Sequence, residues 1–139
     1  MISTRGRYAI RVMIDLAEHA EDGYIPMKEV ARRQGISLKY LERILPALTK
    51  NNLITGVHGK GGGYRLNRHP EEYTAGEILR LTEGSLAPVA CLECNASPCS
   101  RQASCKTLSM WKKYYDLTNT YFDSITIADL LRPSEQDGN

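Results

Sequence analysis

The chain has 139 residues, 42% of them apolar and 24% charged, the mix of a globular protein rather than of a disordered or membrane-spanning one. Its formal charge of +2 is unevenly spread: residues 1–69 carry 12 Lys/Arg against 6 Asp/Glu, a net of +6, and residues 70–139 carry 6 against 10, a net of −4. That asymmetry suggests a polyanion-binding module on a carrier; with no apolar run of spanning length and no signal-peptide core after Met1, the expected location is the cytoplasm, with no membrane partner.

Residues 4–20 predict a helix, because Tyr8, Val12, Leu16 and Ala9, Met13, Ala17 recur at four-residue intervals and so share a buried stripe. Gly23 and Pro26 interrupt the chain before a short helix over Met27 to Gln34. Gly35 then permits a sharp turn, and Ser37 is a good N-cap for a third helix towards Asn51, with Leu38, Leu41, Ile44, Leu45 and Leu48 inward and a bend expected at Pro46. The period next switches to that of strands: Leu53–Val57 and Tyr64–Leu66 flank His58-Gly59-Lys60-Gly61-Gly62-Gly63, a hairpin with a glycine-rich basic tip. Helix, tight turn, helix and hairpin follow in the order of a winged helix-turn-helix. The expected fold is therefore mainly α with a small β-hairpin wing, and residues 1–69 form the DNA-binding unit.

Residues 70–133 supply the second part. Thr74-Ala75-Gly76-Glu77 is the pattern of a capping box opening a helix to Gly84. A cysteine loop follows over 85–105, then a long helix carrying Trp111, Tyr114, Tyr115, Leu117, Tyr121 and Phe122. Thr126-Ile127-Ala128-Asp129 starts a last capped turn that Pro133 stops, and residues 134–139 read as a disordered tail. The long helix holds the only Trp and four of the nine Tyr and Phe residues, more aromatic surface than so short a monomer easily buries, so it predicts dimerisation.

Recognition helices offer their N-terminal residues to base edges in the major groove, here Ser37, Leu38, Lys39, Tyr40, Glu42 and Arg43. Lys39 and Arg43, four apart, share a face and suit phosphate or guanine, while Glu42 can accept from a cytosine amino group. Lys60 at the glycine-rich tip suits a phosphate or the minor groove. No nucleophile–base pair or P-loop appears, and His19, His58 and His69 are scattered, so an enzyme is not expected.

All four cysteines fall within fifteen residues, spaced Cys91-x2-Cys94-x4-Cys99-x5-Cys105. In a reducing compartment such a cluster suits metal or redox chemistry better than a structural disulfide. A zinc ribbon would want two CxxC pairs and only one exists; ligand type alone leaves zinc, an iron–sulfur cluster and a thiol–disulfide sensor open.

Ser3-Thr4-Arg5-Gly6-Arg7-Tyr8-Ala9, Ile36-Ser37-Leu38-Lys39-Tyr40-Leu41-Glu42 and Gly61-Gly62-Gly63-Tyr64, in that order, closely resemble the Rrf-type repressor family, most of all its IscR-type iron–sulfur regulators. The resemblance runs through Ile125–Leu130. It implies a homodimer with crossing C-terminal helices that represses transcription from a palindromic double-stranded DNA site. By position it assigns Ser37, Tyr40, Glu42 and Arg43 to the recognition helix, the segment from Gly59 to Tyr64 to the wing, and Ser3, Thr4 and Arg5 to an arm touching the DNA backbone. His58 stands where an IscR-like wing often has arginine. The resemblance also implies a cluster, [2Fe–2S] in preference to [4Fe–4S], on three loop cysteines: Cys99 and Cys105 match the last two, the commonest first position falls on Glu93, and Cys91 is preferred because Pro88-Val89-Ala90-Cys91-Leu92 resembles relatives with a longer first spacing. Cys94 is then the fourth ligand or a bystander, since the histidine that IscR-like members supply falls on Leu108. The alternative is a cluster-free thiol- or metal-dependent regulator sensing sulfur or cysteine supply through a partner protein.

Overall fold

The computed structural model describes residues 2–93, 97 and 100–133; Cys94, Cys99 and the 134–139 tail lie outside the described residues. Helix α1 spans Thr4–Glu18 and is capped by Ser3, whose Oγ accepts from the Gly6 amide. The expected stripe is buried through Ala9, Val12, Met13 and Leu16, and Tyr8 and Ala17 pack at its edge. Helix α2 (Met27–Gln34) ends at Gly35, whose left-handed backbone (φ 65°) turns the chain directly towards α3. Helix α3 (Leu38–Lys50) starts at Ser37, which accepts from the Tyr40 amide at 3.1 Å, and continues through Pro46 as one helical segment. Leu41, Ile44, Leu45 and Leu48 form its buried face; Leu38, expected inward, is exposed on the first turn instead.

Strands β1 (Ile54–Val57) and β2 (Gly63–Leu66) pair antiparallel, with Ile54 opposite Leu66 and Val57 opposite Gly63. Ile25 extends the wing at its base by exchanging two 2.9 Å backbone hydrogen bonds with Tyr64. A Cβ on Gly63 would press into the backbone of Ile25 and come within 2.7 Å of the Pro26 nitrogen, so the third glycine is needed for that close approach. Gly62 is turned inward against the carbonyls of Val57 and Gly59, leaving Lys60 and Gly61 as the exposed tip.

Helix α4 (Ala75–Glu83) realises half of the expected capping box: Thr74 accepts from the Glu77 amide, but the Glu77 carboxylate pairs with Arg68 at 3.2 Å instead of reaching back. The segment leaving β2 brings the Arg68 guanidinium to Glu77, and the ion pair takes the place of the local contact. Helix α5 spans Leu108–Ser124, and α6, Ile127–Leu131, carries a complete box between Thr126 and Asp129. The base of the α4–α5 hairpin is closed by a bridge between Thr74 and Thr126, with the Ala75 amide donating to Ile125 and the Ile127 amide to Tyr73. Tyr73, Ile78 and Ile127 thereby enter the same core as α1, α2 and α3.

Candidate nucleic-acid interface and cysteine loop

Once α3 has buried its leucines, its outward face carries Ser37, Lys39, Glu42 and Arg43, all exposed. Among the described residues neither Lys39 nor Arg43 forms an ion pair, so both cations are available to a polyanion. Tyr40 is placed differently from its neighbours: its ring meets Tyr8 edge-on at 5.5 Å and packs against the core. Tyr64 is likewise half-buried, at the root of the wing rather than its tip. His58, Lys60 and Gly61 are exposed on the hairpin, and Thr4 and Arg5 lie on the first turn of α1. Ser3 is exposed, but both its donors are engaged: the amide and the hydroxyl donate to one Glu83 oxygen at 2.8 and 2.6 Å.

Two buried polar clusters hold this surface in place. Asp15, 1% exposed on the inner face of α1, accepts a two-pronged contact from Arg33 at 2.7 and 3.1 Å and a bond from Gln34 at 2.9 Å, pinning α1 to α2. Burial opposes ionisation of this carboxyl, but the Arg33 and Gln34 hydrogen bonds and the charges of Arg33 and His19 outweigh it and hold the group below the usual carboxylate range. The second cluster centres on the fully buried Tyr73, whose hydroxyl donates to the Leu53 carbonyl at 2.6 Å and accepts from the amides of Asn67 and Arg68 at 3.0 and 2.9 Å. Both feet of the wing are thus fastened to the segment entering α4. Burial, partly offset by those two amides, raises the Tyr73 hydroxyl above its ordinary value and keeps it a donor. Sequence reasoning found neither cluster; the one available signal was a carboxylate at position 15 adjoining the apolar stripe.

The loop after Gly84 includes short 3₁₀ turns at Ala90–Leu92 and Gln102–Ser104. Cys91 and Cys105 are free, exposed thiols. The Thr107 hydroxyl, 3.5 Å from Cys105 Sγ, together with the Thr107 amide, lowers the Cys105 thiol below its ordinary value, and burial opposes this only weakly. A thiol so biased towards thiolate is suited to metal ligation or redox exchange. Among the described residues no group of three His, Cys, Asp or Glu is gathered to hold a metal, and Cys94 and Cys99 are not among them.

Helix α5 has seventeen residues and not one buried side chain. Tyr114, Leu117 and Tyr121 are 54%, 58% and 62% exposed, while Trp111, Tyr115 and Phe122 are half-buried. Most of these line one side of a groove of about 650 Å³, whose other side is Ile2, Glu83 and the segment Ser85–Pro88. Arg80 ties α4 to α5 through Asn119 at 3.1 Å and Asp123 at 2.7 Å.

A family model described as Rrf2, an iron-dependent transcriptional regulator, matches residues 2–133. The chain belongs to the Rrf2 family. It is a transcriptional regulator with a winged-helix head, not an enzyme. One relative, the HTH-type transcriptional regulator IscR of Aliivibrio salmonicida, is 33% identical over 134 residues, covering 96% of this chain and 79% of that protein. Among solved structures, the global cysteine regulator CymR of B. subtilis is similar with a TM-score of 0.76 and 34% identity over 94% of this chain and 95% of its own. The IscR of T. potens gives 0.73 and 35%, over 94% and 85%. No helix among the described residues is long and apolar enough to cross a membrane.

Proposed function

We propose that this Rrf2-family chain represses transcription as a homodimer paired through α5, and that a cysteine-ligated iron–sulfur cluster sets its activity. The two heads of the dimer read a palindromic operator with Ser37, Lys39, Glu42 and Arg43 of α3 in the major groove. Lys60, Gly61 and His58 of the wing lie on the adjoining backbone or minor groove, and Thr4 and Arg5 on phosphates. Tyr40, Tyr64 and Gly62 serve by shaping these elements. The observation that carries the proposal is the helix that follows the cysteines: no side chain of α5 is fully buried within its own chain, and Tyr114, Leu117 and Tyr121 are left more than half exposed on its aromatic face. A second copy covers that face, and ligation of the adjoining loop biases how the two heads are spaced.

Cys91, Cys99 and Cys105 are the proposed ligands, with Cys94 as the fourth or as a bystander. The two thiols within the described residues fit the group: both are free and exposed, and Cys105 is drawn towards its thiolate form. The cluster, [2Fe–2S] in preference to [4Fe–4S], would supply a labile group whose presence or charge reports iron, oxygen or nitric oxide. The test is iron and sulfide analysis with visible absorption of anaerobically reconstituted protein, alongside Cys99→Ala and Cys105→Ala. The expected result is a chromophore in the parent that both variants lose.

A second reading has its own support in the exposed Cys105 thiol, which the Thr107 hydroxyl and amide lower below its ordinary value, and in the likeness to a global cysteine regulator. There the loop acts without iron, as a thiol sensor working with a partner protein. Colourless protein carrying stoichiometric zinc, or Cys99→Ala retaining full iron and sulfide, would replace the cluster assignment with this one.

A further inference from the structure

We infer that Glu83 is an autoinhibitory latch on the DNA arm: its carboxylate occupies the two donors that Ser3 would otherwise turn to a phosphate. This rests on the proposed contact of the Ser3–Arg5 arm with the DNA backbone. Glu83 is the last residue of α4, eighty positions from Ser3, yet one of its oxygens accepts both the Ser3 amide and the Ser3 hydroxyl. Ser3 has no third donor, so while the latch is closed it can offer a phosphate nothing. The carboxylate also sets a negative charge against Ser3 itself, where an approaching phosphate would meet it.

An independent feature shows that the contact is built into the packing. Gly6 is buried on the first turn of α1 beneath the Glu83 side chain. A Cβ there would overlap the Glu83 carboxylate oxygen and lie 3.1 Å from Leu79 Cδ2 and 3.3 Å from Glu83 Cδ. Alanine would be the better helix former at this exposed-arm end of α1 by about 1 kcal/mol, so the missing methyl group is what admits Glu83 to Ser3. Glu83 also stands at the rim of the α5 groove, one residue before Gly84 leads into the cysteine loop, so the latch lies where rearrangement of the loop is felt first.

The experiment is fluorescence anisotropy on a labelled mixed-sequence duplex, titrated over a range of salt, with thermal melts as a folding check. Glu83→Ala removes the latch. Gly6→Ala keeps every charge but pushes the carboxylate away, and Glu83→Asp keeps the charge but falls one methylene short of Ser3, which covers a Gly6→Ala protein that melts early. Glu18→Gln, at the far end of α1, controls for the loss of one acidic charge. The expected result is binding about three- to tenfold tighter for Glu83→Ala and for at least one folded charge-retaining variant, with the salt slope of the charge-retaining variants unchanged because Ser3 is neutral. If the charge-retaining variants bind as the parent does, or if Glu83→Ala gains no more than Glu18→Gln, the latch is overturned while DNA binding stands. If the parent shows no salt-dependent affinity for duplex DNA, the latch falls together with the DNA-binding reading beneath it.

Discussion

Replacing Tyr73 with phenylalanine removes one oxygen and leaves a buried ring of nearly the same shape, so it isolates the polar part of the anchor beneath the wing. Three backbone groups lose a partner: the Leu53 carbonyl and the amides of Asn67 and Arg68. They are not equally exposed to the loss, because the Asn67 amide also lies 3.3 Å from the Leu53 carbonyl and those two can satisfy each other. The Arg68 amide is the group left without a replacement. One orphaned buried donor costs about 1–3 kcal/mol, and two weakened bonds add about 1 kcal/mol between them. Absence of the hydroxyl's own desolvation gives some of this back, for a net loss of about 2–3 kcal/mol. Arg68, stacked 4.4 Å from the ring centroid, keeps its cation–π contact in either case. With a urea slope of about 2 kcal/mol/M, the unfolding midpoint should fall by about 1–1.5 M, read by circular dichroism at fixed protein concentration so that any dimer linkage is common to both proteins. Amide exchange in Gly63–Leu66 should accelerate in parallel. A midpoint shift equivalent to less than about 0.5 kcal/mol would mean that water or backbone adjustment satisfies the Arg68 amide, and the account of the anchor would be wrong.

Asp15 should give the protein an acid-labile component: its folded value lies below the ordinary 3.8, so its stabilisation is complete above about pH 4 and is lost as pH falls through the depressed value. Asp15→Asn, measured by urea titration from pH 7 downwards, should cost roughly 2–4 kcal/mol at neutrality and flatten that acid limb; an unchanged limb would assign it to other carboxylates. Leu117→Asp should yield monomers in sedimentation and lose palindrome binding while the head keeps its melting behaviour, and a parent protein that sediments as a monomer at micromolar concentration would remove the basis for the test. Lys60→Ala should weaken DNA binding evenly across sequences and flatten the salt slope by about one phosphate per subunit; a loss confined to one operator would instead make Lys60 a reader of bases.

Much of the head was legible because its determinants are local. The stripe of α1, the turn glycine at position 35, the Ser37 cap and the glycine-rich hairpin each declare themselves within a few residues, and the structure forms all of them. What escaped is non-local. Glu77 fits a capping box in the sequence, but Arg68, delivered by the wing, is the stronger partner. Asp15 adjoins an apolar stripe and would be read as its margin, since its partners Arg33 and Gln34 come from the next helix. Tyr40 and Tyr64 sit in motifs that resemble DNA-contacting ones, yet their rings are spent largely on packing. The aromatic load of α5 was visible as composition; that none of it is fully buried within the chain required the fold.

The Thr74–Thr126 bridge has a mechanical consequence. Because the α4–α5 hairpin is stapled at its base and α4 is buried against α1, displacement in the cysteine segment is taken up by the free Leu108 end of α5 swinging away from α4. Helix α5 is about 25 Å long, so a shift of a few ångströms at the Leu108 end dwindles to a small rotation by the time it reaches the Arg80–Asp123 contact near the staple. The hairpin therefore behaves as tweezers. The moving tip carries the loop and the Trp111 end of α5, while Tyr121, Phe122 and the α4 arm, held on α1 through Glu83 and the buried Ile78 and Leu79, stay with the part fused to the winged-helix core.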